Sequence, residues 1–197
     1  FDPRSGWATP LELGPRAGHA FVYGLGCDSL GRAIVAWSQR DTYRTWDSFM
    51  MVSHYAPDSG WSAPQSIDPD PTYDSAGAMV VEPDGSAIVV WWQRSNIVAS
   101  HYRPADGWQP PIVLRDTSTP TIPEPEPNPL HAASDGHGNV TVVYMLDEAV
   151  EAIRYSTSGG WSTHERIGDC PPYNRYLSID FDADGNGVVV WVNDNMN

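Results

Sequence analysis

Lysine is absent from this 197-residue chain: all 11 basic residues are arginine, set against 25 aspartates and glutamates. The formal charge of −14 repels phosphate backbones and anionic headgroups, which argues against nucleic acid and charged lipid surfaces as partners. Long apolar runs are missing too. None approaches the roughly 20 residues that a membrane-crossing helix needs, so no membrane span is expected. No secretory leader opens the sequence, an absence of little weight because the chain begins inside a repeat.

What is present is a folding composition of short elements. Apolar residues make up 41% of the chain, enough for a core, and 18 Pro, 17 Gly, 9 Trp and 9 Tyr favour many short strands and tight turns over long helices. Internal repetition then gives the architecture. A first block runs from an acidic residue through a Gly three places on and a small residue at five to an aromatic at nine. It occurs as Asp28, Gly31, Ala33, Trp37; as Glu82, Gly85, Ala87, Trp91; as Asp135, Gly138, Val140, Tyr144; and as Asp182, Gly185, Gly187, Trp191. A second block sets an aromatic six residues ahead of the Trp of a Gly-Trp pair: Phe1 with Trp7, Tyr55 with Trp61, Tyr102 with Trp108, and Tyr155 with Trp161. Once two insertions are set aside, the period is 47 residues.

Each period reads as four strands, A to D. Strand A corresponds to segments such as 77–81 and 177–181, B to 87–92 and 187–192, C to 97–102, and D to 61–67. Between A and B, Gly supplies a positive φ and the acidic residue bonds the turn's backbone N–H groups. A repeated four-stranded sheet cannot bury both faces alone, so the expectation is an all-β protein: a β-propeller of four blades, spanning about 1–54, 55–101, 102–154 and 155–197 in one domain. Trp37, Trp91, Tyr144 and Trp191 then become inter-blade packing residues, each burying roughly 150–250 Å². Two readings of the whole stay open. Either the termini complete a split blade and close a four-bladed ring, or the chain is a window on a longer propeller.

In such a meander, the B–C turn and the D-to-A connection share one face. Both insertions fall there, seven residues within 40–51 and six within 116–129. Loops on a rigid scaffold usually carry binding, so this face is the expected site. Its candidate ligand-binding residues are Tyr43, Arg44, Trp46 and Asp47, with Tyr73, Asp74, Tyr173, Asn174 and Arg175 in the short D–A loops. This mixture of ring faces with bidentate donors and acceptors suits sugars and carboxylates. The Pro-rich insertion before the third strand A reads as a stiff spacer or docking ridge.

Metal and cofactor roles are not expected. Asp180, Asp182 and Asp184 form an oxygen-rich string ending in Gly, but it lacks the Glu that closes a calcium loop and reads as a capped turn. His54 and His101 occupy equivalent positions beside the strand C tyrosines and read as structural. Cys27 and Cys170 fall at opposite faces of a blade roughly 15–20 Å deep, too far apart for a disulfide, and are expected as separate thiols.

These repeats resemble bacterial exported β-propeller repeat proteins, in the neighbourhood of sialidase-like and lectin propellers. The resemblance covers the entire chain, and it implies an extracellular, cell-surface or periplasmic setting. The Asp-x-x-Gly spacing, with its aromatic six residues after Gly, departs from the sialidase box that looks like Ser-x-Asp-x-Gly-x-x-Trp. Sialidase catalysis implies an arginine cluster, a tyrosine nucleophile with a glutamate, and a further acid, and the sequence places no such set. The expected function is therefore a non-catalytic binding module for a glycan or protein partner. One alternative is a glycoside-processing enzyme, with Asp41, Asp47 or Asp74 near the ring axis. Another is a structural brick of a larger extracellular assembly, through self-assembly or further blades.

Overall fold

The computed structural model describes residues 4, 6–14, 18–40, 48–70, 74–117, 129–170 and 176–192. All regular structure in them is β. The first sheet contains β1 (Ala20–Cys27), β2 (Ala33–Gln39), β3 (Phe49–Ala56), β4 (Gly60–Trp61) and β5 (Gln65–Ser66). The second repeats it with β6 (Asp74–Val81), β7 (Ala87–Gln93), β8 (Asn96–Arg103), β9 (Gly107–Trp108) and β10 (Ile112–Arg115). The third is β11 (Leu130–Ser134), β12 (Val140–Leu146), β13 (Ala149–Ser156), β14 (Gly160–Trp161) and β15 (Glu165–Asp169). The fourth shows β16 (Leu177–Phe181) and β17 (Gly187–Trp191).

Every pairing is antiparallel, and the first three sheets follow the A-B-C-D meander that the repeat implies, while among the described residues the fourth shows only its A–B hairpin. Strands A, B and C match the expected segments to within a few residues. Strand D does not: it is two short pieces, both paired to strand C. At the break Ser62 replaces ladder bonds with its own side chain. Its N–H donates to the His54 carbonyl at 2.7 Å while its Oγ accepts the His54 N–H at 3.1 Å, and Ser162 repeats this with Arg154. In the first two sheets the gap also holds Pro64, or Pro110 and Pro111, which have no N–H for a ladder.

The sheets stand side by side with their first strands adjoining: β1 beside β6, β6 beside β11, β11 beside β16. Small residues allow that approach. A Cβ added at Gly24 would lie 2.7 Å from the Met79 Cβ, and one at Gly26 2.6 Å from Val81 Cγ2. Across each seam, alternation along strand B sends successive side chains to opposite neighbours. Val89 and Trp91 pack with Ala36, Met50, Val52 and Ile67 of the first sheet. Ile88, Val90 and Trp92 pack with Leu130, Val142 and Tyr144 of the third. Three of the block-end aromatics fill seams as expected: Trp91 and Tyr144 are fully buried, and Trp191 packs with the third sheet and donates its Nε1–H to the Asp169 carbonyl at 3.0 Å; Trp37 is buried but joins no cluster between sheets.

The row has two open flanks. Phe21, Val22 and Leu25 on β1 are exposed, as are Val188 and Val190 on β17. No helix among the described residues is long and apolar enough to cross a membrane. Cys27 is exposed, Cys170 buried, and both are free thiols.

Candidate functional site

Of the loop-face residues assigned from sequence, Tyr43, Arg44, Trp46, Asp47, Tyr73, Tyr173, Asn174 and Arg175 lie outside the described residues, as do Asp41 and the proline-rich run. Asp74 is placed by its backbone alone, opening β6 opposite Gln93. Beside it, the buried Asp68 accepts Gln93 Nε2–H at 2.8 Å and the Asp70 N–H at 3.0 Å, so this carboxylate ties the first sheet's last strand to the second sheet.

A tyrosine, a glutamate and an arginine do converge at the second seam. Tyr144 Oη donates to Glu151 Oε2 at 2.7 Å, and Arg115 Nε lies 3.4 Å from the same oxygen. This trio has the residue types of a sialidase centre but not its exposure. Tyr144 is 0% exposed, and burial and then the Glu151 contact push its phenol far above the usual tyrosine range. Its observed work is to bridge the second and third sheets.

The open chemistry lies at the other end of the sheets, where the A–B and C–D turns meet. The A–B turns explain how. Asp28 Oδ1 accepts the Leu30 and Arg32 N–H groups, both at 2.9 Å; Asp135 Oδ1 does the same for His137 and Asn139, and Asp182 Oδ1 for Asp184 and Asn186. Gly31, Gly85, Gly138 and Gly185 close these turns with φ between 73° and 88°, a region costly to other residues. The Asp180–Asp184 string is accordingly a capped turn: Asp182 Oδ2 also accepts Asn186 Nδ2–H at 2.9 Å. The carboxyl of Asp135 is pushed up by burial, but bonds from Asn139 and His137 and the nearby Arg154 outweigh this and hold it below the usual range.

Between adjacent turns two repeat-equivalent clefts open. The first, about 350 Å³, lies between sheets one and two and is lined by Asp28, Arg32, His54, Trp61, Gly85 and Tyr102, among others. The second, about 690 Å³, lies between sheets two and three and is lined by Glu82, Asp84, His101, Arg103, His137 and Tyr155, among others. Each histidine reaches across its seam to the next sheet's tyrosine: His54 to Tyr102 with ring centroids 4.6 Å apart, and His101 to Tyr155 at 5.2 Å. The Trp108 Nε1–H donates to His54 Nε2 at 3.0 Å, which fixes a neutral His54 protonated on Nδ1. Burial holds both histidines below the ordinary imidazole range. Their structural reading from sequence is thus right as far as the seam contacts go, but the same residues also form the walls of clefts. The repeat equivalence of His54 and His101 is the sequence signal for these clefts, whereas the longer loops point to the opposite face.

Glu82 departs from the pattern. Its extra methylene takes the carboxyl off the turn, where Asp84 caps Ser86 N–H instead at 2.8 Å. Glu82 is 7% exposed, and its Oε1 has no hydrogen-bond partner. Burial pushes its carboxyl above the usual range; a Ser134 hydrogen bond opposes this, and nearby Asp84 and Asp135 add to it.

No protein-family model and no curated protein matches the chain. Among solved structures 34 chains match. One is "Hadza microbial sialidase Hz136", which aligns with a TM-score of 0.52 at 13% identity, over 81% of this chain and 39% of that one. At that identity the likeness concerns the fold alone: the successive antiparallel sheets are arranged as in a sialidase propeller.

Proposed function

We propose that the chain is a non-catalytic binding module that recognises a glycan or a protein segment. The observation that carries this reading is the pair of repeat-equivalent clefts, each combining a cross-seam histidine and tyrosine with carboxylate and arginine groups. Their volumes fall in or near the roughly 300–1,000 Å³ range of small-molecule sites, and repetition suits a ligand met more than once along a chain. The loop face, with Tyr43, Arg44, Trp46, Asp47, Tyr73, Asp74, Tyr173, Asn174 and Arg175, is a second surface of the same module. An exported or periplasmic setting belongs to this proposal, supported by the resemblance to exported propellers. A glycan array and a peptide array probed with the whole chain test it. Binding that weakens in both His54→Ala and His101→Ala is expected; turnover of a fluorogenic sialoside would replace it with the hydrolase reading.

The open flanks support a second reading, in which the four repeats belong to a larger ring or assembly. Leu25 on β1 is the repeat equivalent of Met79, which abuts the first sheet; Val188 and Val190 are the equivalents of Ile88 and Val90, which pack on the third. The natural cover for each flank is another sheet of this repeat. Sedimentation velocity tests it: association that rises with concentration and is lost in Val190→Glu supports the reading, and a monomer at all concentrations opposes a second copy.

A further inference from the structure

The four A–B turn acids are not equally served. Asp28 is paired with Arg32, whose chain lies over Gly85 of the next sheet and whose Nη2 reaches the Asp84 carbonyl at 3.5 Å. Asp135 is paired with Arg154 at 3.0 Å and with Asn139 at 2.7 Å, and Asp182 with Asn186. Glu82 has at its Arg32-equivalent position only Ser86, whose hydroxyl is spent on Asp84 at 2.7 Å. Its electrostatic neighbours, Asp84 and Asp135, are both acidic. The glycine equivalent to Gly85 is Gly138, where an added Cβ would meet only the Thr157 methyl at 3.0 Å; no guanidinium lies over it.

The first cleft therefore holds, as part of the chain, the group that the second lacks. We infer that the second cleft takes a cationic side chain of a basic polypeptide segment, an arginine guanidinium or lysine ammonium that bonds the unpartnered oxygen of Glu82 and the backbone carbonyl of His137, the counterpart of the Asp84 carbonyl. Three features converge on this class. A carboxylate oxygen that is buried without a partner beside a cavity calls for a donor. Asp84 beside it, which no arginine among the described residues pairs, favours a positive one, Asp135 being already paired with Arg154, and the chain's charge of −14 draws basic segments toward it. The Tyr155 ring, packed against His101 and Trp161, adds an aromatic group to the cleft wall within reach of a cation. Arg103 also lines this cleft and is exposed.

This inference rests on reading the clefts as binding sites, and its test separates the two. The whole chain is titrated at physiological salt with N-acetylated, amidated Gly-Arg-Gly, with glucosamine and with glucose, followed by amide NMR shifts. The tripeptide is expected to move signals from residues 82–86 and 134–138. Glu82→Gln should weaken it about tenfold or more, the usual worth of a charge-assisted bond. Ser86→Arg, which restores the first cleft's own guanidinium, should block it with the fold intact by circular dichroism. Absence of tripeptide binding, or binding indifferent to both variants, overturns the inference. Glucosamine binding without tripeptide binding overturns the polypeptide occupant in favour of an amino sugar. Glucose binding unaffected by Glu82→Gln, with no tripeptide binding, would leave the clefts as binding sites while removing this ligand class.

Discussion

Glu82→Gln is also the sharpest test of the energetics, because the account predicts that it stabilises the protein. The carboxyl is buried at a seam, keeps one oxygen without a partner, and sits near two other acids. Its folded-state affinity for a proton therefore exceeds that in the unfolded chain. For an acid of raised pKa, ionisation favours the unfolded state, so stability is lost as pH rises from below the unfolded value through the folded one. An amide carries no charge, and its N–H would face Asp84 and Asp135. Relief of a buried unsatisfied group is worth about 1–3 kcal/mol, and each kcal/mol moves the midpoint of a domain this size by about 2–4 °C. Urea unfolding of the two proteins at pH 7.5 and at pH 3.5 measures it. The expected result is a more stable variant at pH 7.5 and near equality at pH 3.5, where Glu82 is protonated in both states. Equal destabilisation at both pH values would refute the reasoning, because it would mean that the ionised carboxylate is fully served.

Other expectations follow from the seams. Asp135→Asn should cost about 1–3 kcal/mol at neutral pH, and the cost should shrink on acidification through the depressed folded pKa, since a lowered carboxyl contributes stability only above it; urea midpoints across pH 2–7 follow this. Trp91→Ala, which empties the seam among Ala36, Met50 and Val52, should cost about 3–5 kcal/mol in the same assay. Gly24→Ala would press a methyl onto the Met79 backbone side of the seam, at a cost of about 1–3 kcal/mol; a neutral result would show that β1 and β6 are not held this closely.

Much of the fold was legible because the repeat carries two kinds of punctuation. The acidic residue and Gly of the A–B turn fix one hairpin, the Gly-Trp pair fixes the next, and the apolar runs between them leave strands A to C little freedom. Strand D was not legible as two pieces. Its break depends on Ser62 and Ser162 exchanging backbone for side-chain bonds, and a serine in a strand carries no mark of that role. The clefts were half visible. His54 and His101 stand out as a repeated pair, yet only coordinates reveal that each crosses to the neighbouring sheet. The exception at Glu82 is written in the sequence as Glu for Asp and Ser86 for Arg32, but its meaning depends on where Arg32 lies.

Histidine side-chain NMR during titration with a ligand drawn from either array bears most directly on the central claim that the seam clefts are the recognition sites. The imidazole signals of His54 and His101 are expected to shift together with saturation while that of the exposed His164 stays in place. Saturable binding that leaves both imidazoles unmoved would contradict the claim and return recognition to the loop face.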